Sequence, residues 1–182
     1  CNQATLSVTQ GSVISGNEAN TGGGGIYSAG TLTVFNSTVQ DNVALDNDND
    51  NDGFGGGIYT LAGSSTSVRE SAIIGNNAAT SGGGIAVGGQ MLVFNSTISD
   101  NFGITVGGIF VSSNGSLGLY NATVADNGVF LGTFGIELHV LNGDATLGNS
   151  IVANSTQAFA ACTNASGTIA SIGYNLSDDD TC

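Results

Sequence analysis

The chain has 182 residues; 30 are Gly, none is Pro or Trp, 14 are Asp or Glu and only Arg69 is basic, giving a formal net charge of −13. That balance excludes nucleic acid as a partner, because phosphate binding needs clustered Lys and Arg; it also sets the chain against anionic membranes and polyuronate sugars, and favours divalent cations. The 40% hydrophobic content is enough for a packed core, and no apolar run approaches the ~20 residues needed to span a bilayer.

One unit recurs along the chain. A partial copy, TLSVTQGSVISGN, occupies 5–17. Fuller copies are GGGGIYSAGTLTVFNSTVQDN (22–42), GGGIYTLAGSSTSVRESAIIGN (55–76), GGGIAVGGQMLVFNSTISDN (82–101) and GGIFVSSNGSLGLYNATVADN (107–127), and GIELHVLNGDATLGNSIVANS (135–155) is more degenerate. Aligned on the Ile after the glycines, Ile26, Ile58, Ile85, Ile109 and Ile136 are spaced 32, 27, 24 and 27 apart. A second apolar column is Val8, Val34, Val68, Val93, Leu119 and Leu147; a third is Val13, Val39, Ile73, Ile98, Val124 and Val152. Apolar and small polar residues alternate within each copy, as in Leu32-Thr33-Val34, which is the period of a strand. A repeat of roughly 25 residues with three short strands cannot bury its own apolar face. Stacked copies can, each pairing with its neighbours about 4.8 Å away. The expected fold is an all-β, single-domain parallel β-helix, or β-solenoid, of about six to seven coils in a three-sided tube. Residues 1–155 form the coils, an acidic insertion at 44–52 explains the longest spacing, and 156–182 form a terminal coil or cap.

Two Asn columns mark the corners. Asn36, Asn95, Asn121 and Asn149, joined by Gln10 and Glu70, form one; Asn42, Asn76, Asn101 and Asn127 form the other. Stacked amides are expected to hydrogen-bond along the tube axis. Glu70 interrupts the first column beside Arg69, as a local charge pair.

The insertion contains Asp48-Asn-Asp50-Asn-Asp52-Gly53. Alternating carboxylates before a Gly resemble the first half of a Ca²⁺ loop, and Asp46 adds an oxygen. Tyr59 stands where the bidentate Glu of such a loop belongs, so the expected affinity is weak. Asp41, Asp100 and Asp126 share one repeat position. Asp100 and Asp126, on adjacent coils, have the spacing of a retaining glycosidase pair; the competing interpretation, which we favour, is that Asp-Asn fills a turn. His139, the single His, shares a strand face with Glu137 by spacing alone and is expected to be a half-exposed strand residue.

Phe35, Arg69, Phe94 and Tyr120 form one aromatic column and Tyr27, Tyr59, Ala86 and Phe110 another. An outward column is a candidate partner face, suited to stacking on sugars; an inward one is core. Seven sequons occur, at Asn36, Asn95, Asn114, Asn121, Asn154, Asn164 and Asn175. Those at 36, 95 and 121 are expected to be inaccessible if their ladder is internal, leaving Asn114, Asn164 and Asn175 as glycosylation candidates. Cys162 and Cys182 enclose a loop short enough for a disulfide. Cys1 is then lipid-linked, bridged to another subunit, bonded within the chain or an idle thiol. No leader precedes Cys1, so the sequence reads as a processed chain or an excised piece, and its cysteines fit an extracellular setting.

On these residues the chain resembles secreted bacterial right-handed parallel β-helix proteins. The GGGI glycines followed by an NST-type strand resemble repeats of the polymorphic outer-membrane protein and autotransporter-passenger type. One departure is that Phe35 and Phe94 are followed directly by Asn, whereas that family spaces the two by three residues. NSIVAN (149–154), Cys162, GYNL (173–176) and Cys182 look like the close of β-helix domains in bacterial surface proteins of the choice-of-anchor type. The resemblance implies a right-handed tube with a closed C-terminal end. Since this fold hosts enzymes and passive stalks alike, the expected function is structural: a cell-surface stalk, adhesin module or filament subunit stacking head to tail on copies of itself. The alternative is a polysaccharide-active or carbohydrate-binding β-helix. Scarcity of cations argues against a lyase on anionic sugars; no enzyme is expected, and the runner-up is a glycoside hydrolase using Asp100 and Asp126.

Overall fold

The computed structural model describes residues 1–47, 50–130, 135–153, 160–179 and 181–182. One coil runs through the strands Ile85–Val87, Gln90–Phe94, Thr97–Ser99 and Phe102–Gly103. Each strand pairs in parallel with its equivalents in the coils on either side, for example Gln90–Phe94 with Ser65–Arg69 and Ser116–Tyr120. The result is a parallel β-solenoid of about six turns with four sheets, of six, seven, seven and five strands. We number them 1 to 4 in the order in which that coil meets them. Three sides were expected; the fourth sheet consists of two-residue strands such as Asn77–Ala78, too short to show a period.

The core is a set of in-register ladders. Sheet 2 contributes Val8, Val34, Val68, Val93, Leu119 and Leu147, stacked in the expected order. Sheet 1 stacks Ile26, Ile58, Ile85, Ile109, Leu138 and Cys162. Sheet 3 stacks Ile14, Val39, Ile73, Ile98, Val124 and Val152.

Two expected rungs are therefore corrected. Ile14, not Val13, pairs with Val39, and Val13 points outward at 59% exposure. The first corner uses two left-handed residues, Gln10 (φ 62°) and Gly11 (φ 74°), where the equivalent corners at Asn36, Glu70, Asn95, Asn121 and Asn149 use one, and the extra residue shifts the register. Leu138, not Ile136, pairs with Ile109. Ile136 and Glu137 stand where the preceding coil has Gly107 and Gly108, as the bonds Gly108 N–H to Ile136 O and Ile109 N–H to Glu137 O show.

The two Asn columns differ in kind. Asn36, Asn95, Asn121 and Asn149 are exposed, with φ between 45° and 56°. They are left-handed corners, a conformation that Asn tolerates, and not an internal ladder. Asn42, Asn76, Asn101 and Asn127 are buried and do form a ladder. Each Oδ1 accepts from the side-chain amide of the previous Asn, starting from Asn17, at 2.8–2.9 Å. It also accepts from that residue's backbone N–H. The second amide proton of each goes to a carbonyl, that of Ile14, Val39, Ile73 or Ile98. Every polar atom of the buried column is thus paired. A shorter hydroxyl ladder, missed in the sequence because Ser is common there, links Ser37, Ser71 and Ser96.

Strands Cys162–Asn164, Thr168–Ser171 and Leu176–Ser177 continue sheets 1 to 3, so this region is a last coil. The Cys162–Cys182 disulfide closes it, and Asp179 and Thr181 accept from the backbone N–H groups of Ala161 and Cys162.

The corner glycines are set by close approach. A Cβ on Gly83 would lie 2.3 Å from the carbonyl oxygen of Phe102 and 2.6 Å from that of Gly107, both backbone atoms that cannot swing away. Gly83→Ala should therefore destabilise the chain by about 3 kcal/mol, as severe overpacking does. Urea unfolding checks this; a loss within about 0.5 kcal/mol would mean that the corner has slack.

Candidate functional site

The first aromatic column faces outward on sheet 2, and the register sets Phe35, Arg69, Phe94 and Tyr120 on successive strands. Beyond Tyr120 the column continues as Gly148. A groove of about 490 Å³ lies along it, lined by Arg69, Phe94 and Tyr120 and, from the last coil, by Ile172 and Tyr174. Ile172 is 63% exposed and Tyr174 94%. The Arg69 guanidinium carbon sits 5.8 Å from the centroid of the Phe94 ring, and its Nε donates to Ser67 Oγ at 2.9 Å. The expected pairing with Glu70 is absent: no ion pair joins Arg69 to a carboxylate among the described residues, and Glu70 lines a separate recess with Asn36 and Asn95. Sequence reasoning overlooked Ile172 and Tyr174, which lie beyond the last recognisable repeat.

The second aromatic column faces outward on sheet 1. Tyr27 and Tyr59 meet edge to face, with centroids 5.6 Å apart. The register leaves Ala86 between Tyr59 and Phe110. Phe54, from the end of the insertion, bridges that gap at 6.0 Å from Tyr59 and 5.6 Å from Phe110. His139 stacks on Phe110 at 5.8 Å and extends the stripe. Its Nδ1 is 2.6 Å from Thr163 Oγ1, and burial holds its pKa below the usual imidazole value.

Glu137 does not share the His139 face. It is fully buried, and its carboxylate accepts both the backbone N–H and the side-chain amide of Asn127. It thereby ends the Asn ladder. Burial pushes its pKa up to about 7, against the two bonds from Asn127, with Asp126 and Asp178 adding repulsion.

In the insertion, oxygens of Asp46, Asp50 and Asp52 lie within 4.8 Å of one another. Asp48 lies outside the described residues. Asp46 Oδ1 accepts from Asn51 N–H at 3.3 Å. Asp52 Oδ1 is buried with no hydrogen-bond partner among the described residues. Neighbouring Tyr59 has its pKa raised by burial, then by Tyr27 and Asp52.

Asp41, Asp100 and Asp126 have φ of 53°, 56° and 61°, and Gly75 takes 67° at the same position. The recurrence of Gly there shows what the position needs, which is a left-handed turn. Among the sequons, Asn114 and Asn164 are exposed, although the Asn164 amide donates to Gly167 O and accepts from Gly167 N–H. The Asn175 amide is engaged: it donates to Leu147 O and Ser171 Oγ and accepts from Ser150 N–H, so a glycan there would break the corner. Asn36, Asn95 and Asn121, expected to be hidden if internal, are exposed. Asn154 lies outside the described residues. Cys1 is exposed and free.

Comparison with known protein families, with curated proteins and with solved structures finds no match to the chain. The fold and the surfaces above define it as a parallel β-solenoid.

Glu137 makes stability depend on pH. The folded carboxyl keeps its proton up to about 7, and the unfolded one only up to about 4.5. The folded state therefore binds more protons in that window, so this contribution is complete at low pH and is lost as pH rises through about 7, by about 3 kcal/mol. Unfolding of the wild type and Glu137→Gln at pH 5 and pH 8 isolates it from the other carboxylates. The stability difference should move in the variant's favour by that amount at pH 8, and a difference independent of pH would show an unshifted Glu137.

Proposed function

We propose that the chain is a structural β-solenoid of an extracellular surface, acting as a stalk or adhesin module or as a filament subunit that stacks end to end. The observation that carries this reading is the in-register stacking of four parallel sheets along one axis, in which each coil pairs edge to edge with the next. An unpaired strand edge is a template for another strand, and a heterologous contact that does not close builds a filament. The disulfide favours an oxidising compartment, and the GGGI repeats resemble those of bacterial surface proteins. A structural rather than catalytic role is supported by Asp100 and Asp126, whose backbone the turn accounts for. Negative-stain electron microscopy of the purified chain at rising concentration should show rods of solenoid width growing in length; monodisperse particles one solenoid long, with and without Ca²⁺, would sink the filament.

Calcium is part of the proposal. Three clustered carboxylates, with Asp52 Oδ1 unpartnered among the described residues, are the donor set a hard cation takes. With few ligands the affinity belongs to the extracellular class, Kd about 10⁻⁴–10⁻³ M. Millimolar Ca²⁺ should raise the melting temperature of the wild type and leave that of Asp52→Asn unchanged. An equal rise in both would place the effect elsewhere.

The second reading, a carbohydrate-binding surface, is favoured by two outward aromatic columns on a body with few other outward features. Aromatic faces in a row suit the apolar faces of successive sugar rings.

A further inference from the structure

Two glycines shape the groove beside Arg69. A Cβ on Gly118 would lie 2.8 Å from Tyr120 Cε2, and one on Gly148 would lie 3.1 Å from Tyr120 Cδ1. These atoms belong to opposite edges of one ring. The Tyr120 ring therefore lies low across the sheet, over space that any other residue at 118 or 148 would fill. Neither the alternating pattern nor the turn chemistry calls for Gly at these outward strand positions, and neither has a positive φ. Gly118 and Gly148 make room for the ring.

Chemistry is asymmetric along the groove. At one end Tyr120, Ile172 and Tyr174 present apolar surface. Two strands away stands Arg69, roughly 10 Å off at the spacing of paired strands. It is the only Lys or Arg in 182 residues. Its Nε is held by Ser67 and its guanidinium lies over Phe94. No ion pair joins it to a carboxylate among the described residues, and it lines the groove. The separation from an aromatic platform to a fixed cation matches two sugar units.

We propose that this groove binds an oligosaccharide of mostly neutral sugars carrying a single carboxylate, with a sugar ring stacked on Tyr120 beside Tyr174 and the carboxylate held by Arg69. The proposal rests on the carbohydrate-binding reading and adds the ligand class to it. Charge complementarity selects the acid: the one cation of the chain is in the groove. Net charge limits it to one: with −13 on the chain, each further carboxylate meets repulsion and no second cation.

The test is calorimetric titration of the intact chain with three probes: a neutral hexose tetrasaccharide, the same tetrasaccharide ending in one glucuronic acid, and polygalacturonate. The singly acidic probe should bind about tenfold more tightly than the neutral one, and polygalacturonate more weakly than either at low salt. Arg69→Gln should abolish that preference and keep neutral binding. Tyr120→Ala should weaken both tetrasaccharides about tenfold, and Phe110→Ala, on the other aromatic face, should change neither. Equal binding of neutral and acidic probes, or a preference that survives Arg69→Gln, overturns the acidic specificity and leaves a neutral carbohydrate surface standing. Loss of binding in Phe110→Ala but not in Tyr120→Ala overturns the groove as the site. No binding of any probe overturns both the inference and the reading beneath it.

Discussion

In-register parallel stacking places each residue of one coil directly over its equivalent in the next, about 4.8 Å away, and most of this molecule follows from that constraint. A residue type is acceptable only if it tolerates a copy of itself at that distance. Aliphatic side chains do, as in the Val and Leu column of sheet 2. So does Asn, whose amide donates on one side and accepts on the other, and which passes its second proton to a carbonyl. Charged side chains do not, since like charges at this distance repel by about 1 kcal/mol even in water. Only 8% of residues are charged, and half of the acid sits where stacking does not reach, in the insertion at 44–52 and in the last residues.

The same constraint explains what could be read from the sequence. Ladders of like residues were legible because the repeat spells them out: the sheet 2 core and the Asn42 column; the aromatic columns were legible as columns, but not which way they face. What failed was local. Gly11 adds one residue to the first corner and moves the inward rung from Val13 to Ile14, and a strand of three residues carries too little pattern to reveal a one-residue slip. Ile136 was aligned by its neighbouring Gly135, although Glu137 occupies the final glycine position of that coil. Asn in two columns looked equivalent; backbone conformation separates them, with φ near 50° in the exposed column. The groove needed coordinates, because Ile172 and Tyr174 reach it from the least regular coil.

Outward positions escape the stacking rule, and information specific to this chain is concentrated there. A ladder of Thr, Ser and Gly outside the tube would have met every folding requirement. Instead Tyr27, Tyr59, Phe110 and His139 occupy one outward column, and Phe54 is laid over the gap at Ala86 so that the stripe continues. Completing the stripe from a separate segment means that its continuity does not arise from repeat duplication alone. Arg69 likewise stands between Phe35 and Phe94 in its column, and gains cation–π contact with Phe94.

Glu137 shows the constraint from the other side. The Asn ladder needs an acceptor for the N–H groups of Asn127 that point to the next coil. The acceptor comes from the neighbouring corner, where a glycine of the repeat has become Glu137 and its carboxylate takes both donors of Asn127. A carboxylate has no amide protons to pass on, so the ladder stops. The substitution costs solvation, visible in the raised pKa, and it ends the column without leaving an orphaned donor. A solenoid of amide ladders can therefore be terminated from within, by a residue that accepts from the ladder and has no amide N–H to pass on, independently of the disulfide that closes the last coil.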